Sequence, residues 1–113
     1  RKRVKYLWYH LRILTPLWPR VLEPWAEAQH ELATLLGDGN DLTDLVDLLG
    51  GAPSIEPDPE VRDALLALAR RCRRDIWDES RPLGRRLYAE EPDALVARMR
   101  NYWRGMRMEE RAD

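Results

Sequence analysis

The sequence predicts an all-α fold, an antiparallel bundle of about four to five helices. Apolar residues recur at intervals of three and four along most of the 113-residue chain, and this is the period of one helix face. Alternating strand-like runs are absent, and Leu, Ala, Arg and Glu, which favour helices, dominate the composition. Most of the prolines and glycines fall between the periodic stretches or at their ends. We therefore interpret residues 1–113 as a single helical bundle.

The first predicted helix has five cationic side chains and no acid within its first fifteen residues. Pro16 disfavours helical geometry in the residue before it, so this helix is expected to end near Thr15. At about 100° per residue, one face of the helix is apolar and one flank of that face is cationic. The apolar face consists of Val4, Leu7, Leu11 and Leu14, and the flank of Arg1, Lys5 and Arg12 with Trp8 at its edge.

The second helix is predicted from about Val21 to Leu36, with His30 on its solvent side. The glycines and acids that follow predict a break. In this interpretation Gly37 is a left-handed C-cap, and Asn40 or Asp41 caps a short helix that ends near Leu49. The predicted buried stripe is Val21, Trp25, Ala28, Leu32, Leu35 and Leu36.

A loop of turn residues spans 50–57, and the longest helix is predicted from Pro59 to Tyr88, with Asp58 as its N-cap. Pro82 is expected to kink or split it. One side is predicted to be buried and another carries arginines beside Trp77. The buried side is Val61, Leu65, Leu68, Cys72, Ile76, Leu83 and Leu87, and the arginine stripe is Arg70, Arg74, Arg81 and Arg85.

The last helix is expected to begin at Glu91-Pro92-Asp93 and to end near Met108. Its apolar positions predict a buried seam, and its arginines share no single face and are expected to be solvated. The seam is Leu95, Met99, Tyr102 and Met106, broadened by Val96 and Trp103, and the arginines are Arg98, Arg100, Arg104 and Arg107.

The charges are sorted along the chain, although the net charge is only −1. From Val21 to Val61 there is no Lys or Arg, whereas ten acids fall there. Such sorting produces local fields that the net charge conceals. Arg outnumbers Lys seventeen to two, which suits bidentate contacts to phosphate oxygens. A GC-rich genome would produce the same ratio, so the ratio alone decides nothing.

The sequence offers little support for catalysis. The two histidines lack metal-site spacing, so no metal or other cofactor is predicted. The single cysteine, Cys72, falls on an apolar stripe, where packing is the simpler role, and it fits a reducing cytoplasm. No apolar run is long enough to span a membrane. The predicted function is therefore binding, without an enzymatic activity.

Two binding alternatives remain beside a polyanion receptor. Arginines next to Trp8, Tyr9 and Trp77 could bind phosphates while the aromatic rings stack on bases, which would suit nonspecific single-stranded nucleic acid. No known nucleic-acid-reading module is recognisable, so nucleic acid is the less favoured partner. The acidic segment from Val21 to Val61 could instead bind a basic protein, or the acidic segment of one copy could pair with the basic regions of another within an oligomer. That alternative is a helical scaffold or protein-interaction module.

Two motifs resemble the CHAD domain, the conserved-histidine α-helical domain. RKRVKYLWY is similar to the family's basic opening helix, and LLGDGNDLTDL to its leucine-glycine and Asn-Asp motif. RRCRRDIWDESRPLGRRLYAEEP resembles its long late helix. The matching positions are Arg1, Lys2, Lys5 and Tyr9 in the first motif and Leu36, Gly37, Asn40 and Asp41 in the second.

The resemblance departs from the family pattern at two places. Trp8 stands where the family usually has Arg, and the family's naming histidine would precede Arg1, so its role is not transferred to His10. The chain is expected to be the C-terminal half of a CHAD-like domain, which allows a homodimer that rebuilds the other half. In the family, two helical bundles face each other across a basic channel, and some members accompany a triphosphate-cleaving tunnel domain.

The resemblance implies binding of inorganic polyphosphate, and the arginine and lysine pattern agrees with it. Polyphosphate presents charge and no bases, so its receptor needs fixed cations along a groove. Tyr9 can donate a hydrogen bond to a phosphate oxygen, and Asp41 is expected to cap a helix or orient a basic residue. The expected location is cytoplasmic, at polyphosphate granules. The predicted site comprises Arg1, Lys2, Lys5, Tyr9, Arg12, Arg70, Arg74, Arg81 and Arg85.

Overall fold

The chain forms four α-helices in the computed structural model, which describes residues 2–51 and 58–112. These are α1 (Lys2–Leu14), α2 (Pro19–Gly51), α3 (Pro59–Leu87) and α4 (Pro92–Ala112), with a 3₁₀ segment, Thr15–Leu17, after α1. No strand occurs in the described ranges, and the all-α prediction is confirmed. Within the same ranges, no helix combines the length and apolarity needed to cross a membrane.

Contacts divide the chain into two compact units. Unit 1 combines Arg1–Ala33 with Leu83–Asp113, and unit 2 is Thr34–Pro82. Both α2 and α3 contribute residues to each unit. The two units are described separately below.

Unit 1 surrounds one apolar core with α1, the first part of α2, the end of α3 and α4. The centre of this core is Leu11, Leu22, Ala26 and Met99. Half-buried side chains from every one of these segments except α3 pack against it. The apolar face predicted on the first helix is confirmed. Its residues are buried at Val4 and Leu11 and half-buried at Leu7 and Leu14.

A fully buried amide, Gln29, ties three parts of unit 1 together. Its Nε2 atom donates to the Val4 carbonyl oxygen at 3.2 Å and to the Tyr88 hydroxyl oxygen at 2.8 Å. It lies among Leu22, Ala26 and Leu32 on the inward side of α2. This side is rotated by about one residue from the stripe that the sequence predicted. The Nε2 group would lose a partner if α1 moved away, so Gln29 helps to fix how α1 packs on α2, although its Oε1 atom is buried without a hydrogen-bond partner.

The corner after α1 forms where the sequence predicted it. Pro16 has no N–H, and the Thr15 hydroxyl donates to the Leu11 carbonyl oxygen at 2.6 Å, while the Trp18 N–H donates to the Thr15 carbonyl oxygen at 3.2 Å. These hydrogen bonds satisfy backbone carbonyl groups that have no helical partner at the end of α1.

The predicted break at Gly37–Asp41 is wrong, because α2 continues through it to Gly51. No glycine has a positive φ, so Gly37 is not a left-handed cap, and Asn40 and Asp41 lie inside the helix. The reason is a tertiary contact between α2 and α3. A Cβ at Gly39 would lie 2.5 Å from Cη2 of Trp77, so the missing side chain makes room for the indole of α3.

The start of α3 confirms Asp58 as its cap. The Glu60 N–H donates to Oδ1 of Asp58 at 3.4 Å, and the Arg62 N–H donates to its carbonyl oxygen at 2.9 Å. The helix passes Pro82 without interruption, so the predicted split does not occur. Ser80, two residues earlier, is buried and donates to the Trp77 carbonyl oxygen at 3.1 Å.

Much of the predicted buried side of α3 is exposed. Ile76, Leu83 and Leu87 are half-buried as expected. The inward positions of α3 in unit 2 are instead Ala69 and Ser80, flanked by half-buried Trp77. The residues that are exposed against the prediction are Val61, Leu65, Leu68 and Cys72.

The last helix begins at Pro92, as predicted, and extends to Ala112. The predicted seam is confirmed in part by a buried Met99 and half-buried Leu95, Tyr102 and Met106. Val96 and Trp103 do not broaden it, because both are exposed.

Replacing Gly39 by Ala should destabilise the protein by about 1–3 kcal/mol, because the new methyl group overpacks against the Trp77 ring. Helix propensity alone would favour Ala by up to about 1 kcal/mol, so the steric term decides the sign. The measurement is the free energy of unfolding in urea.

Gly105→Ala is the matched control, because Gly105 lies inside α4 with nothing within 4 Å of an added Cβ. It should stabilise by about 0.5–1 kcal/mol. If both substitutions stabilise the protein, Gly39 is not a site of close helix approach.

Candidate functional site

Four residues of the predicted site form one line along the exposed side of α1. Lys2, Lys5, Tyr9 and Arg12 follow each other at spacings of three, four and three, which keeps them on one helix face. All four are exposed, while the adjacent face carries the buried Val4. At 1.5 Å per residue the line is about 15 Å long. We call these four residues the α1 row.

The cations of the α1 row form no ion pair within the described parts of the chain. Lys2 and Lys5 stand on a helix that has no acid in its first turn. An exposed cation without a carboxylate partner keeps its full charge for a ligand. The row is thus a fixed line of positive charge, with the Tyr9 hydroxyl as its neutral donor.

Trp8 organises one end of the α1 row. Its ring stacks on His30 with centroids 4.4 Å apart, and it meets the Tyr9 ring at 4.9 Å. The guanidinium carbon of Arg12 lies 5.1 Å from the centroid of the same indole. His30 is exposed as predicted, and its stacking on Trp8 had no signal in the sequence. The cluster holds two members of the row, Tyr9 and Arg12, against one half-buried aromatic ring.

A crevice of about 490 Å³ opens between α1 and α2 beside this cluster. Arg12 and Trp8 line it from α1, while Glu23 and Glu27 line it from α2. The two carboxylates weaken the positive field at Arg12. The field of the row is therefore strongest toward Lys2 and Lys5, away from the crevice.

The α3 stripe is a second exposed set of cations and belongs to unit 2. It consists of Arg70, Arg74 and Arg81, which lie on the opposite flank of α3 from its exposed apolar residues. Arg81 lies 3.8 Å from Asp78 in an exposed contact. Such a contact contributes little and competes weakly with another anion.

Three further residues that the sequence singled out for binding do not belong to either set. Arg85 is exposed, but it lies in the part of α3 that belongs to unit 1. Arg1 lies outside the described residues. Trp77 is half-buried with its ring against Gly39, so it serves packing in unit 2.

The prediction that Arg98 is merely solvated is wrong. Its guanidinium carbon lies 4.5 Å from the Trp25 ring centroid, and its Nη2 atom donates to Oε1 of Glu90 at 2.8 Å. Nη1 donates to the Tyr102 hydroxyl oxygen at 3.4 Å. Tyr102 stands four residues later on the same helix, which the sequence could have suggested. Trp25 comes from a distant segment, so its contact had no sequence signal.

The chemistry of the exposed groups points to binding of an anion. Among the described residues, no three His, Cys, Asp or Glu side chains cluster as a metal site would require. The α1 row and the α3 stripe together offer six cations and one phenol on helix surfaces. Such groups bind an extended anion through many charge-assisted hydrogen bonds.

Comparison with known proteins adds one finding. A family model described as the CHAD domain matches residues 1–50. This segment contains the whole α1 row and the LLGDGNDLTDL motif, so the resemblance predicted from the sequence is confirmed over these residues. No curated protein and no solved structure gives a significant match to the chain.

Gln29→Glu should make stability strongly dependent on pH, because it places a carboxyl group at a fully buried position that supports α1. Burial raises the pKa of a carboxyl group above its unfolded value of about 4.3. Between that value and the raised folded pKa, the unfolded state loses its proton and the native state keeps it. The free energy of unfolding should therefore fall by about 1.4 kcal/mol per pH unit over this window. Urea unfolding from pH 4 to 8 measures it.

Gln29→Leu is the control, because it removes the same hydrogen bonds and adds no titrating group. Its unfolding free energy should follow the wild-type pH profile. A Gln29→Glu profile parallel to that of Gln29→Leu would contradict the burial of this position.

Proposed function

We propose that this chain, whose first 50 residues match the CHAD-domain family, binds inorganic polyphosphate without catalysing a reaction on it. The observation that carries the proposal is the α1 row, an exposed line of cations inside the matched segment. A line about 15 Å long suits an elongated anion better than a single phosphate.

Each member of the α1 row has a role that follows from its side chain. Lys2 and Lys5 are point charges that follow the phosphates of a flexible chain without demanding one geometry. Arg12 offers a planar fork, and its contact with Trp8 restricts the orientation of that fork. The Tyr9 hydroxyl donates one further hydrogen bond to a phosphate oxygen. Most of the affinity comes from released counterions, so it falls as salt is added.

The aromatic residues favour polyphosphate over single-stranded nucleic acid. Binding a base requires an aromatic face that is free for stacking. Trp8 already stacks on His30 and lies under Arg12, and Trp77 lies against Gly39. Two of the three aromatic side chains that could have stacked on bases are thus engaged within the protein. A receptor that uses charge alone needs none of them.

In the same proposal the α3 stripe supplies a second set of phosphate contacts within unit 2, and Arg85 supplies one within unit 1. The two sets act on one long anion as linked weak sites, so their contributions multiply when the anion reaches both. A triphosphate-tunnel domain is the proposed partner that would process the bound anion. The proposed location is the cytoplasm, at polyphosphate granules.

Replacing Lys5 and Arg74 together by Ala should weaken binding of long-chain polyphosphate at least about tenfold, because one contact is lost from each set. The slope of log affinity against log salt should become shallower by about 1.4, as expected for two contacts on a single-stranded polyanion. Isothermal titration at several salt concentrations measures both, and circular dichroism monitors the helices.

Arg104→Ala with Arg111→Ala is the matched control. It removes the same charge from exposed positions of α4 outside the proposed site and should change affinity much less. Equal losses of polyphosphate affinity in the two variants would show that binding responds only to net charge and would contradict the proposed site. In a competition titration at moderate salt, displacement of polyphosphate by single-stranded DNA would overturn the choice of ligand.

A further inference from the structure

Unit 2 exposes a long apolar seam on α3. Val61, Leu65, Leu68 and Cys72 recur at spacings of four, three and four, which is the pattern by which helices pack side by side. Leu68 is 57% exposed and Val61 47%. Asp75 and Glu79 continue the same seam at spacings of three and four and are also exposed. The seam is therefore apolar at one end and acidic at the other.

The neighbouring segment of α2 presents the same arrangement. Asp38, Asp41, Leu45 and Leu48 follow at spacings of three, four and three, and all are exposed. The two segments approach each other closely where Gly39 meets the Trp77 ring. We call these two seams the hairpin face, and no position in them carries a cation.

Unit 1 exposes a seam of complementary character on α4. Val96, Arg100, Trp103 and Arg107 recur at spacings of four, three and four. Val96 is 55% exposed, and Trp103 is 45% exposed with the Arg107 guanidinium carbon 4.9 Å from its ring centroid. We call these four residues the α4 face. It offers two large apolar side chains and two arginines, and none of its positions carries an acid.

The two faces have the same helical spacing and similar lengths, and their charges are opposite in sign. Val96 and Arg107 are about 16 Å apart along α4, and Leu65 and Asp75 about 15 Å along α3. A helix laid along the hairpin face can bury Val96 and Trp103 against the leucines and bring its arginines to the acids. Arginine and tryptophan are also the residues that most often anchor protein interfaces.

We propose that the α4 face of one copy of this chain docks on the hairpin face of a second copy. Both faces are open in the chain itself, and the charge complementarity identifies the second copy as the occupant. Because two different surfaces meet, the contact is heterologous and generates rings or open filaments. The contact uses neither the α1 row nor the α3 stripe, so it can be tested in the absence of polyphosphate.

Two charge-reversal variants of the full chain test the contact. One carries Asp75→Arg and Glu79→Arg on the hairpin face, and the other Arg100→Glu and Arg107→Glu on the α4 face. Sedimentation velocity should show wild-type species larger than a monomer whose amount increases with concentration and decreases with salt. Each variant alone should be monomeric, with a Kd for self-association raised about tenfold or more.

Mixing the two variants gives the decisive result. The intact α4 face of the first fits the intact hairpin face of the second, and the two reversed faces complement each other, so the mixture should assemble although neither variant assembles alone. A chain carrying all four reversals should self-associate again. A monomeric wild type at every concentration would overturn the proposal. So would self-association of either variant alone, because it would show that one face pairs with itself.

Discussion

Unit 1 depends on the burial of one polar side chain at the centre of its helix packing. The Nε2 group of Gln29 is buried in an apolar core, and its two hydrogen bonds go to Val4 on α1 and Tyr88 after α3. Any rotation of α1 that breaks the bond to Val4 costs the desolvation of the amide. The orientation of α1 is therefore specified more narrowly than leucine packing alone would specify it. The orientation of α1 also sets the direction in which its exposed side, with Lys2 and Lys5, faces.

The sequence predicted structure well wherever the signal was local. Pro16, Asp58 and Pro92 mark helix ends through missing donors and capping bonds that involve only neighbouring residues. The inward face of α1 was equally clear, because four apolar residues at helical spacing allow one orientation only. The line of cations follows from that orientation, since residues on the opposite side of a fixed apolar face must be exposed.

The failures share one cause, which is that a distant partner changes the meaning of a local signal. Gly37 and Gly39 favour a turn in isolation, but the indole of Trp77 occupies the space beside Gly39 and the helix continues. Arg98 is long and charged, and the ring of Trp25, from a distant segment, is one of the contacts that half-bury it. Periodicity in α3 likewise predicted burial at Leu65 and Leu68. Both residues are exposed, because periodicity shows that residues share one helix face and not that another element covers that face.

The two kinds of exposed surface have different consequences for a long anion. A row about 15 Å long meets only a short stretch of polyphosphate, so the affinity of a single copy is limited. Copies joined through the hairpin and α4 faces would repeat the row at fixed intervals, and each added row would bind at a high effective concentration. Assembly would then favour long chains over short ones without any change in the row itself. Discrimination by length would arise from the spacing of copies, because single phosphates along the polymer are chemically alike.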